Sequence, residues 1–275
     1  MEYKILDNGI EIIGKDCFNI VDILECGQIF SYVKCDDGYS VYSFDKRAKV
    51  VERENGYKII TDDPEYFENF FDLKTDYTVI MARLKKYPLL KSPIEFGDGI
   101  RILKQNLFET LISFIVSANN NIKRIQLILF RLREALGEDM GDYRAFPSRE
   151  SLLEKDEAFF KSIGAGYRAS YLYKVVRQVD EKTLVKWKKL PTSELRRKLI
   201  GLSGVGPKVA DCVLLFGYGR GDVFPVDTWI AKMYNKYYTP LENREEIRRR
   251  LTDEFGEDSG YAQQYLFYYM RSESG

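Results

Sequence analysis

Lys208 and Asp227 are the residues of this sequence best placed to support bond-breaking chemistry. Lys208 follows LSGVGP (202–207) and opens an apolar run, and Asp227 follows Phe224-Pro225-Val226 further along. A lysine amine attacks an electrophilic carbon once it has lost its proton. A helix N-terminus and a desolvated pocket both favour that neutral form. A carboxylate near such an amine can relay the proton and stabilise a cation on a sugar. Each residue also has a plainer role, Lys208 as a phosphate ligand and Asp227 as a helix N-cap. Position alone leaves both pairs of roles open.

Other residues could join them. Cys212 lies four residues after Lys208, so on a helix both project from one face about 6 Å apart. Gln263 and Phe267 share the same spacing near the C-terminus, where an amide and a ring can read a base edge and stack on it. Ordinary packing explains that second pair equally well. SANNNIKR (117–124) offers three asparagines followed by Lys123 and Arg124, a loop or cap that could also meet nucleic acid. GAGYRASY (164–171) offers Tyr167 and Arg168 after a glycine turn, an aromatic wedge with a base-contacting cation beside it.

These residues need elements to hold them. Runs at 192–200 and 207–216 have helical periodicity and flank the turn at Gly204 and Gly206, giving a helix–hairpin–helix over 192–216. The two glycines let the backbone turn sharply and approach a phosphate. Pro207 suits the first helical position, and the free amides of that helix end form an anion site. Further helices are predicted at 64–71, 76–86, 105–117, 122–136, 150–161, 167–179, 228–237, 243–255 and 260–271. Before residue 64, strands are predicted at 10–13, 28–34, 39–44, 48–54 and 57–62, with a short helix near 19–25. Asp37-Gly38 and Asn55-Gly56 read as hairpin turns. The expected fold is α+β, with an antiparallel sheet domain over 1–100 and an all-α domain over 101–275.

Composition narrows the chemistry. With no histidine in 275 residues, histidine-based acid–base catalysis, Ser-His-Asp triads and histidine metal sites are excluded. Cys17, Cys26, Cys35 and Cys212 form no CxxC pair, so reduced thiols are expected, with no metal and no cofactor. Net charge is zero, but residues 1–100 carry 13 Lys/Arg against 19 Asp/Glu and residues 101–275 carry 29 against 23. The second part is thus modestly basic, which suits phosphate contact without proving it. No stretch approaches a membrane span, and MEYKILDNG lacks the basic and apolar regions of a signal peptide.

Taken together, LSGVGPKVADC (202–212), PVD (225–227), SANNN with Arg124, GYRASY (166–171), GYAQQYLF (260–267) and GQIF (27–30) resemble the 8-oxoguanine DNA glycosylases of the helix–hairpin–helix superfamily. The resemblance runs over nearly the whole chain. It implies that Lys208 attacks C1′ of the damaged nucleotide, forming a Schiff base whose β-elimination nicks the strand, and that Asp227 stabilises the sugar charge. It implies a base pocket of Gly27, Cys212, Pro225, Asp227, Gln263 and Phe267. The base would lie between Cys212 and Phe267, with Gln263 on its Watson–Crick edge. The Gly27 carbonyl would accept N7–H, which guanine lacks. Asn119 would fill the vacated stack, Tyr167 would wedge beside it, and Arg124 and Arg168 would contact the orphaned cytosine. A sheet resembling half of the TATA-binding protein is implied for the N-terminal domain.

The expected partner is double-stranded DNA containing 8-oxoguanine, acted on by a monomer in the nucleoid of a bacterium or the nucleus of a eukaryote. Two positions depart from the family: Trp229 stands where eukaryotic members commonly carry histidine, and Pro207 removes a backbone donor. Rival readings are a glycosylase for another damaged base, a hairpin protein that only grips DNA, and an interaction module that has lost catalysis. Glycosylases for oxidised pyrimidines or mismatched adenine usually carry a four-cysteine cluster near the C-terminus, and no cysteine follows Cys212.

Overall fold

The computed structural model describes residues 1–273. The chain opens with β1 (Glu2–Leu6), β2 (Gly9–Ile13) and helix α1 (Ile20–Glu25), then β3 (Tyr32–Cys35), β4 (Gly38–Ser43), β5 (Lys46–Arg53) and β6 (Gly56–Ile60). The strands form one antiparallel sheet in the order β1-β2-β6-β5-β4-β3. Its buried face packs Ile10, Ile12, Val41, Val50 and Ile59 against Phe18, Ile23, Phe67, Phe70 and Phe71. β1 escaped the sequence reading. The hairpins occur at the expected places, but Cys35 pairs with Gly38 and Arg53 with Gly56, so each glycine opens a strand instead of completing the turn. A Cβ there would lie 2.0 Å from a carbonyl oxygen of Val50 or Ile12.

The helical part comprises α2 (Pro64–Phe70), α3 (Tyr77–Leu84), α4 (Lys91–Phe96), α5 (Leu107–Ser117), α6 (Ile122–Leu136), α7 (Arg149–Leu153), α8 (Glu157–Ser162), α9 (Arg168–Gln178), α10 (Glu181–Trp187), α11 (Thr192–Ile200), α12 (Pro207–Phe216), α13 (Thr228–Tyr237), α14 (Arg244–Phe255) and α15 (Ser259–Ser272). The single helix expected at 150–161 is two, because Asp156 accepts from the Phe159 amide and starts a new N-cap. The short α4 and α10 were not anticipated.

Two helical cores meet the sheet core. One gathers α5, α6, α9, α11 and α12. The other joins Tyr77, Ile80, Leu84, Leu90, Ile94 and Ile100 to Phe224, Ile230, Tyr234, Leu251 and Leu266. Residues 77–100, read from sequence as part of the sheet domain, therefore share a core with α13–α15. Two buried arginines lock the parts together. Arg101 donates to the carbonyls of Phe71, Cys17 and Thr75 at 3.0, 3.0 and 2.8 Å. Arg133 pairs with Glu109 at 2.6 Å, and Glu109 also accepts from Ser31 and the Phe44 amide of the sheet domain. Such a buried carboxylate is tolerable because every charge in the cluster has a partner.

Candidate active site

α11 and α12 are the two arms of the expected hairpin, and both have the predicted bounds. Gly204 adopts φ +81, and a Cβ there would lie 2.6 Å from Tyr171 Cβ. Only glycine satisfies that conformation and that space. Gly206 differs from its expected role as a second sharp-turn residue. Its φ of −83 is open to any residue, and a Cβ would meet nothing within 4 Å. What its missing side chain leaves is room beside the amides of the α12 N-terminus, which no side chain caps.

Lys208 enters from the first turn of α12. Its Nζ lies 5.2 Å from the Phe114 ring centre, and that ring stacks on Phe216 at 5.4 Å. Cys212 is one turn further on and 3% exposed. Burial pushes its thiol up to about 11, against the opposing effect of the hydrogen-bonded Lys208. The sulfur is therefore held as a neutral thiol, a poorer nucleophile than a thiolate. Asp227 caps α13, its Oδ1 accepting from the Ile230 amide at 2.9 Å. The capping bond fixes the carboxylate while the group still borders the pocket. Cap and catalytic position are thus compatible.

A small cavity of about 30 Å³ is lined by Gly27, Phe114, Lys208, Cys212, Phe216, Asp227, Gln263, Gln264 and Phe267. Five of the six expected pocket residues are there, brought together from four separate parts of the chain. Pro225 is buried but does not border the cavity; Phe114 and Phe216 take that place. The space holds about two waters and no purine.

A second hollow of about 260 Å³ opens beside the hairpin, lined by Pro207, Lys208, Asp211, Val226, Asn243, Arg244, Glu245 and Arg248. Lys208 is the one residue common to both linings. Asp211, 1% exposed, binds Arg196 through two bonds of 2.7 and 3.1 Å and Arg248 at 3.0 Å. Arg196 continues to Glu245 at 2.8 Å. Burial raises the Asp211 carboxyl, and the two guanidiniums offset that rise. The network ties α11, α12 and α14 together beneath the lysine.

Gly27, at φ +87, faces Phe267, whose Cε1 would lie 2.9 Å from a Cβ at that position. The segment around it is held by side chains that sequence reasoning missed. Gln28, fully buried, donates to the carbonyls of Ile23 and Arg101 and accepts from the Leu103 amide, which is why 28–30 is not strand. Gln264 donates to the Cys26 carbonyl at 2.8 Å. Gln263 Oε1, by contrast, is buried without a partner. The doubled glutamine in GYAQQYLF was the available signal, since one member can hold the backbone while the other faces inward.

The chain matches two families: "8-oxoguanine DNA glycosylase, N-terminal domain" over residues 12–111 and "HhH-GPD superfamily base excision DNA repair protein" over residues 112–257. It is 32% identical over 240 residues to a probable N-glycosylase/DNA lyase of Methanothermobacter thermautotrophicus, covering 75% of this chain and 74% of that one. A Clostridium acetobutylicum 8-oxoguanine glycosylase/lyase, solved with double-stranded DNA containing cytosine opposite 8-oxoG, superposes with a TM-score of 0.92. The identity there is 35%, covering 100% of this chain and 99% of the other. Its apo-form gives 0.89 at 36% identity, covering 98% of each chain. The chain belongs to the 8-oxoguanine DNA glycosylases of the HhH-GPD superfamily.

Within this glycosylase, the three asparagines have separate jobs. Asn121 caps α6 by accepting from the Arg124 amide, and Asn120 donates to the Val116 carbonyl. Asn119 is exposed at φ +49, a left-handed conformation that asparagine tolerates. Of the three, its side chain is the one free to enter DNA. Tyr167 is 54% exposed beside it, its hydroxyl on the Ala118 carbonyl. Arg124 is exposed near the Gly164 carbonyl. Arg168, expected at a base contact, is 4% exposed and donates to the carbonyls of Ala118 and Asn119 at 2.7 Å each. It positions the asparagine turn. The reason is stoichiometric: this tight turn presents adjacent carbonyls that only a guanidinium fork can satisfy together. Trp229 stacks with Lys232, whose Nζ is 5.0 Å from the ring. No helix among the described residues is long and apolar enough to cross a membrane.

Proposed function

We propose that this glycosylase removes 8-oxoguanine from duplex DNA, opposite cytosine, and then nicks the strand. The observation that carries the reading is the position of Lys208 between the larger hollow and the smaller pocket. A strand backbone running past the hairpin amides and an extruded base in the pocket would put C1′ of the linking sugar at the amine. Attack by Nζ forms the N–C1′ bond as the glycosidic bond breaks and the base leaves with its electron pair. The base anion then takes up a proton. Loss of the ring oxygen from C1′ gives the Schiff base, and removal of a C2′ proton expels the 3′ phosphate. Asp227, fixed by its capping bond, is suited to carry protons and to stabilise positive charge at the sugar.

Asn119, Tyr167 and Arg124 are the proposed contacts with the opened helix, and Arg168 holds the turn that presents them. The enzyme acts as a monomer where the genome lies, in the nucleoid of a bacterium or the nucleus of a eukaryote. The test is covalent trapping. With borohydride and an 8-oxoguanine:cytosine duplex, the wild type is expected to give a protein–DNA adduct, and Lys208→Gln is expected to bind DNA without giving one. A wild type that cleaves the duplex with no adduct would overturn the lysine mechanism.

A further inference from the structure

Gln263 Oε1 has a counterpart on the same helix. Arg271 Nη1 is a buried donor with no acceptor. Its sister Nη2 donates to the Glu25 carbonyl, so the guanidinium is fixed two residues before Gly27. Nη1 itself lies 3.1 Å from where a Cβ on Gly27 would stand. The guanidinium carbon is 5.6 Å from the centre of the Phe267 ring, the ring expected to stack on the base. Nη1 of a fixed charged group is thus held at the junction of Gly27 and Phe267 without an acceptor. Leaving such a group unpaired is costly, which marks it as a group awaiting a partner.

We propose that Arg271 is a specificity-determining residue that donates Nη1–H to the 8-carbonyl oxygen of the extruded base. The inference rests on the function proposed above and extends its recognition. In 8-oxoguanine, N7–H and the C8 carbonyl lie side by side, a donor next to an acceptor, as in a urea. The protein offers the complement: the Gly27 carbonyl for N7–H and Arg271 Nη1–H for the oxygen. Guanine has an acceptor at N7 and a C–H at C8, so it would leave both protein groups unpaired. Two adjacent contacts reject the normal base more strongly than one. The clamp on this segment supports the geometry, because Arg271 holds the carbonyl of Glu25 and Gln264 that of Cys26. The Gly27 carbonyl is therefore placed from the same helix that carries Phe267 and Gln263.

The test replaces the oxygen by sulfur, a weaker acceptor, while keeping N7–H and the Watson–Crick edge. Single-turnover excision of 8-oxoguanine and 8-thioguanine, each opposite cytosine, is compared in wild type, Arg271→Met and Arg271→Lys. Arg271→Met is expected to slow 8-oxoguanine excision and reduce the oxo-over-thio preference, each by about tenfold. Arg271→Lys, which keeps a cationic donor, is expected to retain an intermediate preference. If Arg271→Met slows both bases by one factor, the residue only positions Glu25 and Phe267, and the proposed contact is wrong. An unchanged rate and preference would also overturn it. A wild type that excises neither base would overturn the function itself, a result distinct from a preference that ignores Arg271.

Discussion

The two walls of the base pocket are built on opposite terms. On the α12 wall, Lys208, Cys212, Phe114 and Phe216 belong to or abut the large helical core, and the charge beneath them is neutralised by the Asp211 network. On the α15 side, Gln263 lines the pocket and Arg271 stands beside Gly27 and Phe267, and each keeps a buried polar atom without a hydrogen-bond partner. An unsatisfied buried atom costs stability wherever it lies, and these two lie where the proposed base would supply partners. On the proposed function, the wall carrying Lys208 is finished before DNA arrives. The other would be completed by the base. The difference predicts opposite stability effects for substitutions on the two sides.

The largest effect is expected at Asp211. Asp211→Ala would leave Arg196 and Arg248 facing each other without their carboxylate, 13% and 19% exposed. Removing one partner of such a buried cluster costs about 3–5 kcal/mol. Urea unfolding should show that loss, with the rate of base removal falling as α11, α12 and α14 separate. A loss below about 1 kcal/mol would mean the cluster is solvated and the α12 wall is not the rigid one.

On the facing wall the sign reverses. Gln263→Leu removes a buried acceptor that nothing satisfies, so stability should be unchanged or rise by up to about 1 kcal/mol. Excision of 8-oxoguanine should nevertheless fall about tenfold, because the Watson–Crick edge then has no hydrogen-bonding partner there. Thermal unfolding and single-turnover excision on one preparation decide it. A variant that loses both stability and activity would show that Gln263 is a structural residue, and the contrast between the walls would fail.

How much of this was legible follows from the range of the interactions. Local signals were clear: the proline and glycines that delimit α12, the capping Asp227 and the helical spacing of Lys208 with Cys212 all act within a few residues. The α6, α12 and α13 bounds were readable for the same reason. Long-range pairings were not. Nothing near Arg168 says that its guanidinium will close on carbonyls about fifty positions earlier. Nothing near Arg271 connects it to Glu25. Resemblance named Gly27, but the reason it stays in place lies in Gln28 and Gln264, whose partners are far apart in sequence. β1 was missed because its burial is slight, leaving no clean alternation to read. The small size of the pocket was invisible too, since it depends on how distant segments pack.

The smallest effect sharpens the contrast within the hairpin itself. Gly204 is demanded by the fold, whereas neither space nor backbone conformation demands Gly206. Gly204→Ala would force a methyl into Tyr171 at positive φ, so it should unfold more readily. Gly206→Ala enters open space at an ordinary φ, and its stability should stay within about 0.5 kcal/mol of wild type or rise slightly. The same methyl stands beside the uncapped amides of α12, where a phosphate would approach. DNA affinity at fixed salt should therefore drop severalfold with no change in folding, a separation that a purely structural glycine cannot produce. Equal affinity for wild type and Gly206→Ala would move the phosphate away from this turn, and the backbone path past Lys208 would need to be drawn elsewhere.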